Sequence, residues 1–235
     1  MTDRPALAAD TDLALRAVST ATLTAQLLRR GIGSTFLVGV KPIRPDLRLV
    51  GRAVTLRYVP AREDVGTGAA FDNATNAQRV AVELVGPGDV LVIDARGDTR
   101  AAVLGNILAT RILKRGAAGI ITDGAFRDSP GFAELDLPTY AAAAHAAISS
   151  TIHHPADLGL PIGCGGVLVL PGDIVVGDGE GVVVIPAALA DAVAADALEQ
   201  ERLEAWILDR VEHGAPIAGL YPPDAETLAA YRDRS

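Results

Sequence analysis

The 235-residue chain predicts a single α/β domain, a central sheet flanked by helices, and three observations carry that prediction. First, the apolar run at 90–94 follows the turn Gly86-Pro87-Gly88-Asp89 and has the character of a strand covered on both faces. Second, residues 103–115 read as a helix and 118–122 as a short buried strand, the alternation from which α/β sheets are built. Third, 167–170, 174–176 and 182–185 are short β segments separated by glycine turns. After them Pro186 opens a long helix to about Glu212. No linker divides two composition regimes, and a chain of this length can bury one full core.

Taken in order, residues 1–10 read as a loose, flexible tail and 11–212 as the folded domain. Apolar residues at helical spacing (Leu13, Ala17, Leu23, Leu27, Leu28) predict one helix over 11–30, stopped by Gly31. Residues 50–58 alternate apolar and polar, which predicts a half-buried strand, and 73–85 suit a helix. Residues 137–140 suit a short strand, whereas the Ala- and His-rich stretch to Ser150 matches no template. A phrase repeats, Pro87-Gly88-Asp89 and Pro171-Gly172-Asp173, each copy leading into an apolar strand. Pro then Gly fits the centre of a type II turn, so each copy reads as structural, although Asp173 or Asp178 can also be imagined reaching a site across a subunit boundary. The extension 213–235, with Gly219-Leu220-Tyr221-Pro222-Pro223, is too apolar for a free tail; it is expected to pack on the body or on a neighbouring subunit.

Composition narrows the function. Hydrophobic residues make up 49% but aromatics only 4%, so the core must be built from Ala, Val, Leu and Ile. A net charge of −8 without any Lys/Arg run argues against nucleic acid as an electrostatic partner. No stretch of about 18 apolar residues offers a membrane span. The polar start, Met1-Thr2-Asp3-Arg4-Pro5, lacks the core of a secretory signal, so the expected compartment is the cytoplasm. Cys164, the single cysteine, reads as a small buried hydrophobe in a glycine-flanked turn. His153 and His154 are adjacent, and in an extended segment they point to opposite faces, which argues against joint metal ligation. His145 reads as structural or exposed, with a pocket-lining role as the alternative; Leu203 and Trp206 read as core or interface. The 177–181 loop lacks an EF-hand's ligand spacing and reads as a hairpin turn.

Chemistry concentrates between Gly105 and Asp128. A helix over 103–115 travels about 18 Å at ~1.5 Å per residue, and a strand over 118–122 returns about 17 Å at ~3.3 Å per residue. The helix start and the Arg127–Asp128 pair should therefore lie side by side at the carboxyl edge of a sheet, where ligands of open α/β folds bind. Gly105 lets an anion approach the amides of the helix start, whose dipole favours negative charge; the competing reading is an ordinary glycine before an Asn-containing cap. Asp128 suits a hard divalent cation and Arg127 a carboxylate or keto oxygen. A plain surface ion pair competes equally with that reading.

These residues carry a resemblance. Gly105-Asn106-Ile107-Leu108-Ala109-Thr110, Arg115-Gly116-Ala117-Ala118-Gly119-Ile120 and Asp123-Gly124-Ala125-Phe126-Arg127-Asp128 resemble motifs of the class II pyruvate aldolases acting on 4-hydroxy-4-methyl-2-oxoglutarate and 4-carboxy-4-hydroxy-2-oxoadipate. That family also contains the regulator of ribonuclease E activity A. The segment 178–186 resembles the family's final hairpin, and the likeness runs from about residue 15 to 212. The resemblance implies a swivelling β/β/α-type domain, trimers or hexamers, and active sites in clefts between subunits. By position it implies Asp128 as the ligand of Mg²⁺ or Mn²⁺ and Arg127 as the substrate arginine. The amides around Asn106, Ile107 and Leu108 would form the pocket for the pyruvyl carboxylate, and Gly105, Asn106, Ile107, Leu108 and Arg127 are the expected substrate contacts.

The chain departs from the family at two positions. The family's aldolases keep an acid where Asn106 stands, and often another where Gly131 stands. An amide orients a water but accepts no proton. The expected function is a divalent-metal-dependent carbon–carbon lyase that releases pyruvate from a small 4-hydroxy-2-oxo acid through a stabilised enolate, with oxaloacetate decarboxylation as a side reaction. Arg127, Asp128 and Asn106 are its expected catalytic residues; the expected base is a metal-activated water, with help left open among Glu180, Asp178, Glu63 and Asp64. Two alternatives stand: a protein-binding regulator of an RNA-degrading enzyme, or a same-fold decarboxylase or hydrolase of sugar-derived 2-oxo acids.

Overall fold

The computed structural model describes residues 7–64 and 72–234. It begins with α1 (Ala9–Ala17), α2 (Thr20–Arg29), β1 (Lys41–Pro42), β2 (Leu49–Pro60), α3 (Ala77–Leu84), β3 (Asp89–Asp94) and β4 (Ala102–Leu104). The middle holds α4 (Asn106–Lys114), β5 (Gly119–Thr122), β6 (Ala125–Phe126), α5 (Ser129–Ala133), β7 (Thr139–Ala141) and β8 (Ala143–Ala144). The chain closes with β9 (His153–Leu158), β10 (Ile162–Cys164), β11 (Val167–Val169), β12 (Ile174–Gly177), β13 (Val182–Ile185), α6 (Ala190–Glu212) and α7 (Ala225–Arg232). The main sheet runs β1-β7-β5-β3-β2-β12-β13, with β9 also on β2. Its centre, β2-β3-β5-β7, is parallel, and β12, β13, β9 and β1 join antiparallel. The α/β expectation holds, and β4-β6-β8 form a second, wholly parallel small sheet.

Side-chain alternation shows why β2 and β3 are apolar throughout. Leu91 and Ile93 enter one core with Val54, Leu56 and Tyr58, while Val90 and Val92 enter another with Leu49 and Ala53. A third core packs α1, α2 and α6 against Val50, Ile174 and Val176. Both faces are covered, so every side chain on β3 is buried. The half-buried reading of 50–58 is corrected for the same reason: Thr55 and Tyr58 are buried, and Thr55 donates to the Leu160 carbonyl.

The single helix expected over 11–30 is two. Val18 is extended, and Ser19 caps α2 by accepting from the Thr22 amide at 3.1 Å. Ser19 is a favoured N-cap residue, and its capping competes with helix continuation. The break is fastened from outside. Glu201 on α6 accepts from the Ser19 amide and from the hydroxyls of Ser19 and Thr22 at 2.7–2.9 Å. Asp178 accepts from the Thr20 amide and hydroxyl at 2.8 and 2.9 Å and pairs with Arg48 at 3.4 Å. Of the expected tail, residues 1–6 lie outside the described residues, and α1 already begins at Ala9.

Both Pro-Gly-Asp copies are turns flanking β2, with Gly88 at φ +78° and Gly172 at φ +90°. In each the aspartate closes the turn on the amide three residues back: Asp89 on Gly86, Asp173 on Leu170. At the other end, the Tyr231 hydroxyl of α7 donates to Glu199 at 3.1 Å and its ring meets Trp206 edge-on. The extension therefore touches the chain's own α6.

Candidate active site

The small sheet builds the site. Its strands β4 and β6 are parallel neighbours, with Leu104 opposite Phe126, and the Arg127 amide donates to the Leu104 carbonyl at 3.1 Å. The chain leaves β4 through Gly105 into α4 and leaves β6 through Arg127 and Asp128, so the two polar clusters emerge at one carboxyl edge. The juxtaposition agrees with the expectation, but its origin is corrected. Residues 102–104 are strand rather than helix, and β6 stands between β5 and Arg127. The edge belongs to the small sheet, and the cancelling lengths of helix and strand do not explain it.

Gly105 is where the clusters meet. A Cβ built there would lie 2.9 Å from Asp128 Oδ2 and 3.1 Å from Arg127 Cγ, so any side chain would push into the pair. Gly105 is also the N-cap of α4 and supplies no side-chain cap. The amides of Asn106, Ile107 and Leu108 lie in the first turn, where no intrahelical acceptor exists. Arg127 Nε lies 3.4 Å from Asp128 Oδ2, with both side chains about 40% exposed (40% and 41%). Asp128 adopts φ +61°, ψ 36° as the cap of the short helix α5. Left-handed backbone is uncommon outside glycine, is best tolerated by Asn and Asp, and concentrates at functional sites.

Gly105, Ile107, Leu108, Arg127 and Asp128 line one cleft of about 280 Å³. Asn106 is set differently. A Cβ at Gly131 would fall 2.8 Å from Asn106 Nδ2, so the Asn106 side chain packs on α5. The two positions where the resemblance implies acids thus touch each other.

Sequence reasoning missed the opposite wall, formed by Gln78 and Arg79 of α3 with Ile148 and Ser149. Asn76 caps α3 by accepting from the Gln78 and Arg79 backbone amides, and the Gln78 side-chain Nε2 donates to the Val103 carbonyl. That carbonyl also accepts from Tyr58, whose phenol burial pushes up. The Asn76 cap was readable as a helix start, but nothing in the spacing ties residues 78–79 to 105–128.

The remaining candidates lie elsewhere. His153 is buried between Arg96 and the Ala101 carbonyl, and burial lowers its pKa. His145 is exposed and bonds the Ala147 amide. Cys164 is buried with its thiol pushed up by desolvation. Asp173 and Asp178 place their carboxylates on local backbone and on Thr20 and Arg48. Among the described residues lining the cleft, Asp128 is the one carboxylate, so Glu63, Asp64, Asp178 and Glu180 are not in its wall.

A family model described as RraA-like, Aldolase/RraA, matches residues 20–184. The chain belongs to that family. Among its relatives is a protein of Halalkalibacterium halodurans carrying the name "Putative 4-hydroxy-4-methyl-2-oxoglutarate aldolase". It is 35% identical over 147 residues, covering 63% of this chain and 64% of that protein, so the chain matches just under two thirds of its length. RraAS2 of Streptomyces coelicolor, described as an unusual member of the RNase ES inhibitor RraA protein family, is 34% identical. Its structure superposes with a TM-score of 0.79 over 86% of this chain and 98% of that one. An uncharacterized protein of Pseudomonas syringae shares the fold, with a TM-score of 0.78 at 24% identity over 92% and 99% of the two chains. The Aldolase/RraA family thus includes members named for a lyase and members named for inhibition. No helix among the described residues is long and apolar enough to cross a membrane.

Proposed function

We propose that the chain is a divalent-metal-dependent lyase that cleaves a small 4-hydroxy-2-oxo acid to pyruvate and a carbonyl product. The observation that carries this reading is the convergence of Arg127, Asp128 and the uncapped start of α4 on one cleft around Gly105. Among the described residues, no group of three or more His, Cys, Asp or Glu is arranged to hold a metal. A single half-exposed carboxylate nevertheless suits Mg²⁺ or Mn²⁺. Mg²⁺ in particular keeps much of its water and takes one or two carboxylates plus substrate oxygens. Asp128 would hold it, and the ion would supply Lewis-acid polarisation of the keto group.

The chain's own groups then divide the work. Amides of the first turn of α4 receive the carboxylate of the 2-oxo acid, favoured by the helix dipole. Arg127 stabilises the negative charge that grows on the keto oxygen as the C3–C4 bond breaks. Asn106, packed on Gly131 and not among the residues that line the cleft, carries an amide and takes no proton. The proton of the 4-hydroxyl therefore leaves to solvent or to a group of a neighbouring copy. Ile107 is 81% exposed and Ile148 51% exposed at the mouth of the cleft, which suits a homo-oligomer, trimer or hexamer, with sites between subunits. An inhibitor role, as the description of the RraA relative names it, needs neither the ion nor the cleft.

A panel of 4-hydroxy-2-oxo acids and oxaloacetate, assayed with Mg²⁺ for pyruvate release, tests the reading. Release from at least one of them supports it. No release from any, with intact folding, would remove the lyase and favour the regulator.

A further inference from the structure

The strand that delivers the α4 amides is held by buried polar side chains. β4 is the edge of the β4-β6-β8 sheet, with β6 on one side only. On that side its Leu104 carbonyl accepts from the Arg127 amide. The Val103 carbonyl instead accepts from two side chains, the Tyr58 hydroxyl of β2 at 3.0 Å and Gln78 Nε2 of α3. Two residues earlier, the Ala101 carbonyl lies 3.1 Å from His153 Nε2 of β9. A carbonyl oxygen has two lone pairs, and at Val103 both are taken. Left unpaired in this buried place, the oxygen would carry its full desolvation cost. Side chains of the main body thus stand in for a neighbouring strand.

Tyr58 is 1% exposed, shares a core with Val103 and Leu104, and is not among the described residues that line the cleft. Beside it β2 and β9 slip register, Arg57 lying opposite Asp157 but Tyr58 opposite Pro155. Such irregularities re-aim side chains next to functional sites. Burial pushes the phenol pKa up, so the hydroxyl remains a donor at any working pH. Its leverage comes from spacing. Val103 stands two residues before Gly105, where a Cβ would already fall 2.9 Å from Asp128 Oδ2, so β4 has little slack.

Resting on the reading that these amides seat the carboxylate of the acid, we propose that Tyr58 is a positioning residue whose hydroxyl, through the Val103 carbonyl, sets where the first turn of α4 stands in the cleft. Tyr140 offers a matched control. It is a second buried phenol that donates to a carbonyl, that of Asp178 at 3.2 Å, and it belongs to a different core. Tyr58→Phe and Tyr140→Phe each keep the ring and delete one hydroxyl, and each should lower the melting temperature by roughly 2–4 °C. Only Tyr58→Phe should move the backbone amide resonances of Asn106, Ile107 and Leu108 in the free protein. Only Tyr58→Phe should weaken pyruvate binding in magnesium buffer, by about tenfold, the worth of one displaced amide contact.

Resonances of residues 106–108 that stay in place in Tyr58→Phe, or that move alike in both variants, would overturn the inference. So would pyruvate affinity equal in Tyr58→Phe and the wild type, and that result would leave the lyase reading standing. Shifted resonances and weakened binding in Tyr58→Phe alone, in a protein that releases no pyruvate from any 4-hydroxy-2-oxo acid, would sustain this inference and sink the lyase reading.

Discussion

Gly105 is the residue on which the site's geometry depends, because its missing side chain lets the α4 start, Arg127 and Asp128 share one space. Its own backbone, at φ −117°, is open to any residue, so Gly105→Ala should fold. The added methyl should push Asp128 Oδ2 and Arg127 aside and cut kcat/KM by roughly 10²-fold, the cost of a misplacement near 1 Å. Steady-state kinetics beside a melting curve would check this, and wild-type kinetics would mean that the contact is irrelevant to turnover. Asp128 makes the complementary case. Its left-handed backbone (φ +61°) is held for the carboxylate it presents. Both Asp128→Gly and Asp128→Ala should lose turnover, but the glycine variant should be the more stable by about 1 kcal/mol, since alanine pays the left-handed cost. Denaturant unfolding of the two variants measures that difference. The identities of Arg127 and Asp128 could be picked out from sequence because they follow an apolar strand directly. The conformation of Asp128 could not, since aspartate tolerates many turns.

At the scale of elements, the sequence showed periodicity well and junctions poorly. The 182–185 strand and the long helix ending at Glu212 were readable because β-branched runs and a helix-opening proline are local signals. The break between α1 and α2 was less readable, because it is sealed by Asp178, Glu201 and Arg48 from distant parts of the chain. The small sheet was hidden for the same reason, since strands of two and three residues gain their identity only from their neighbours.

The α1–α2 junction makes a prediction about acid. Burial pushes the carboxyls of Asp178 and Glu201 upward, but hydrogen bonds from Thr20 and Glu180 in one case, and from Ser19 and Thr22 in the other, outweigh it, and both end below their ordinary values. A carboxylate whose folded pKa is depressed adds stability above its unfolded pKa, about 4, and loses it as the pH falls through the lower folded value. Melting temperature should therefore drop below about pH 4, and Glu201→Gln should flatten that drop while costing about 2 kcal/mol at neutral pH. An acid limb as steep in the variant as in the parent would remove Glu201 from the explanation.

At the scale of the whole molecule, one family fold hosts relatives named for a lyase and relatives named for inhibiting an RNA-degrading enzyme. Fold alone cannot choose between them, since function belongs to the site grafted on it. In this chain Arg127 and Asp128 line one cleft with Arg79 and the start of α4, an arrangement suited to a small acid. The central claim is metal-dependent cleavage in that cleft. It is tested most directly by pyruvate release from 4-hydroxy-4-methyl-2-oxoglutarate before and after EDTA, followed by Mg²⁺ add-back. The account predicts that release falls to background with chelator and returns with the ion; release undiminished by EDTA would contradict it.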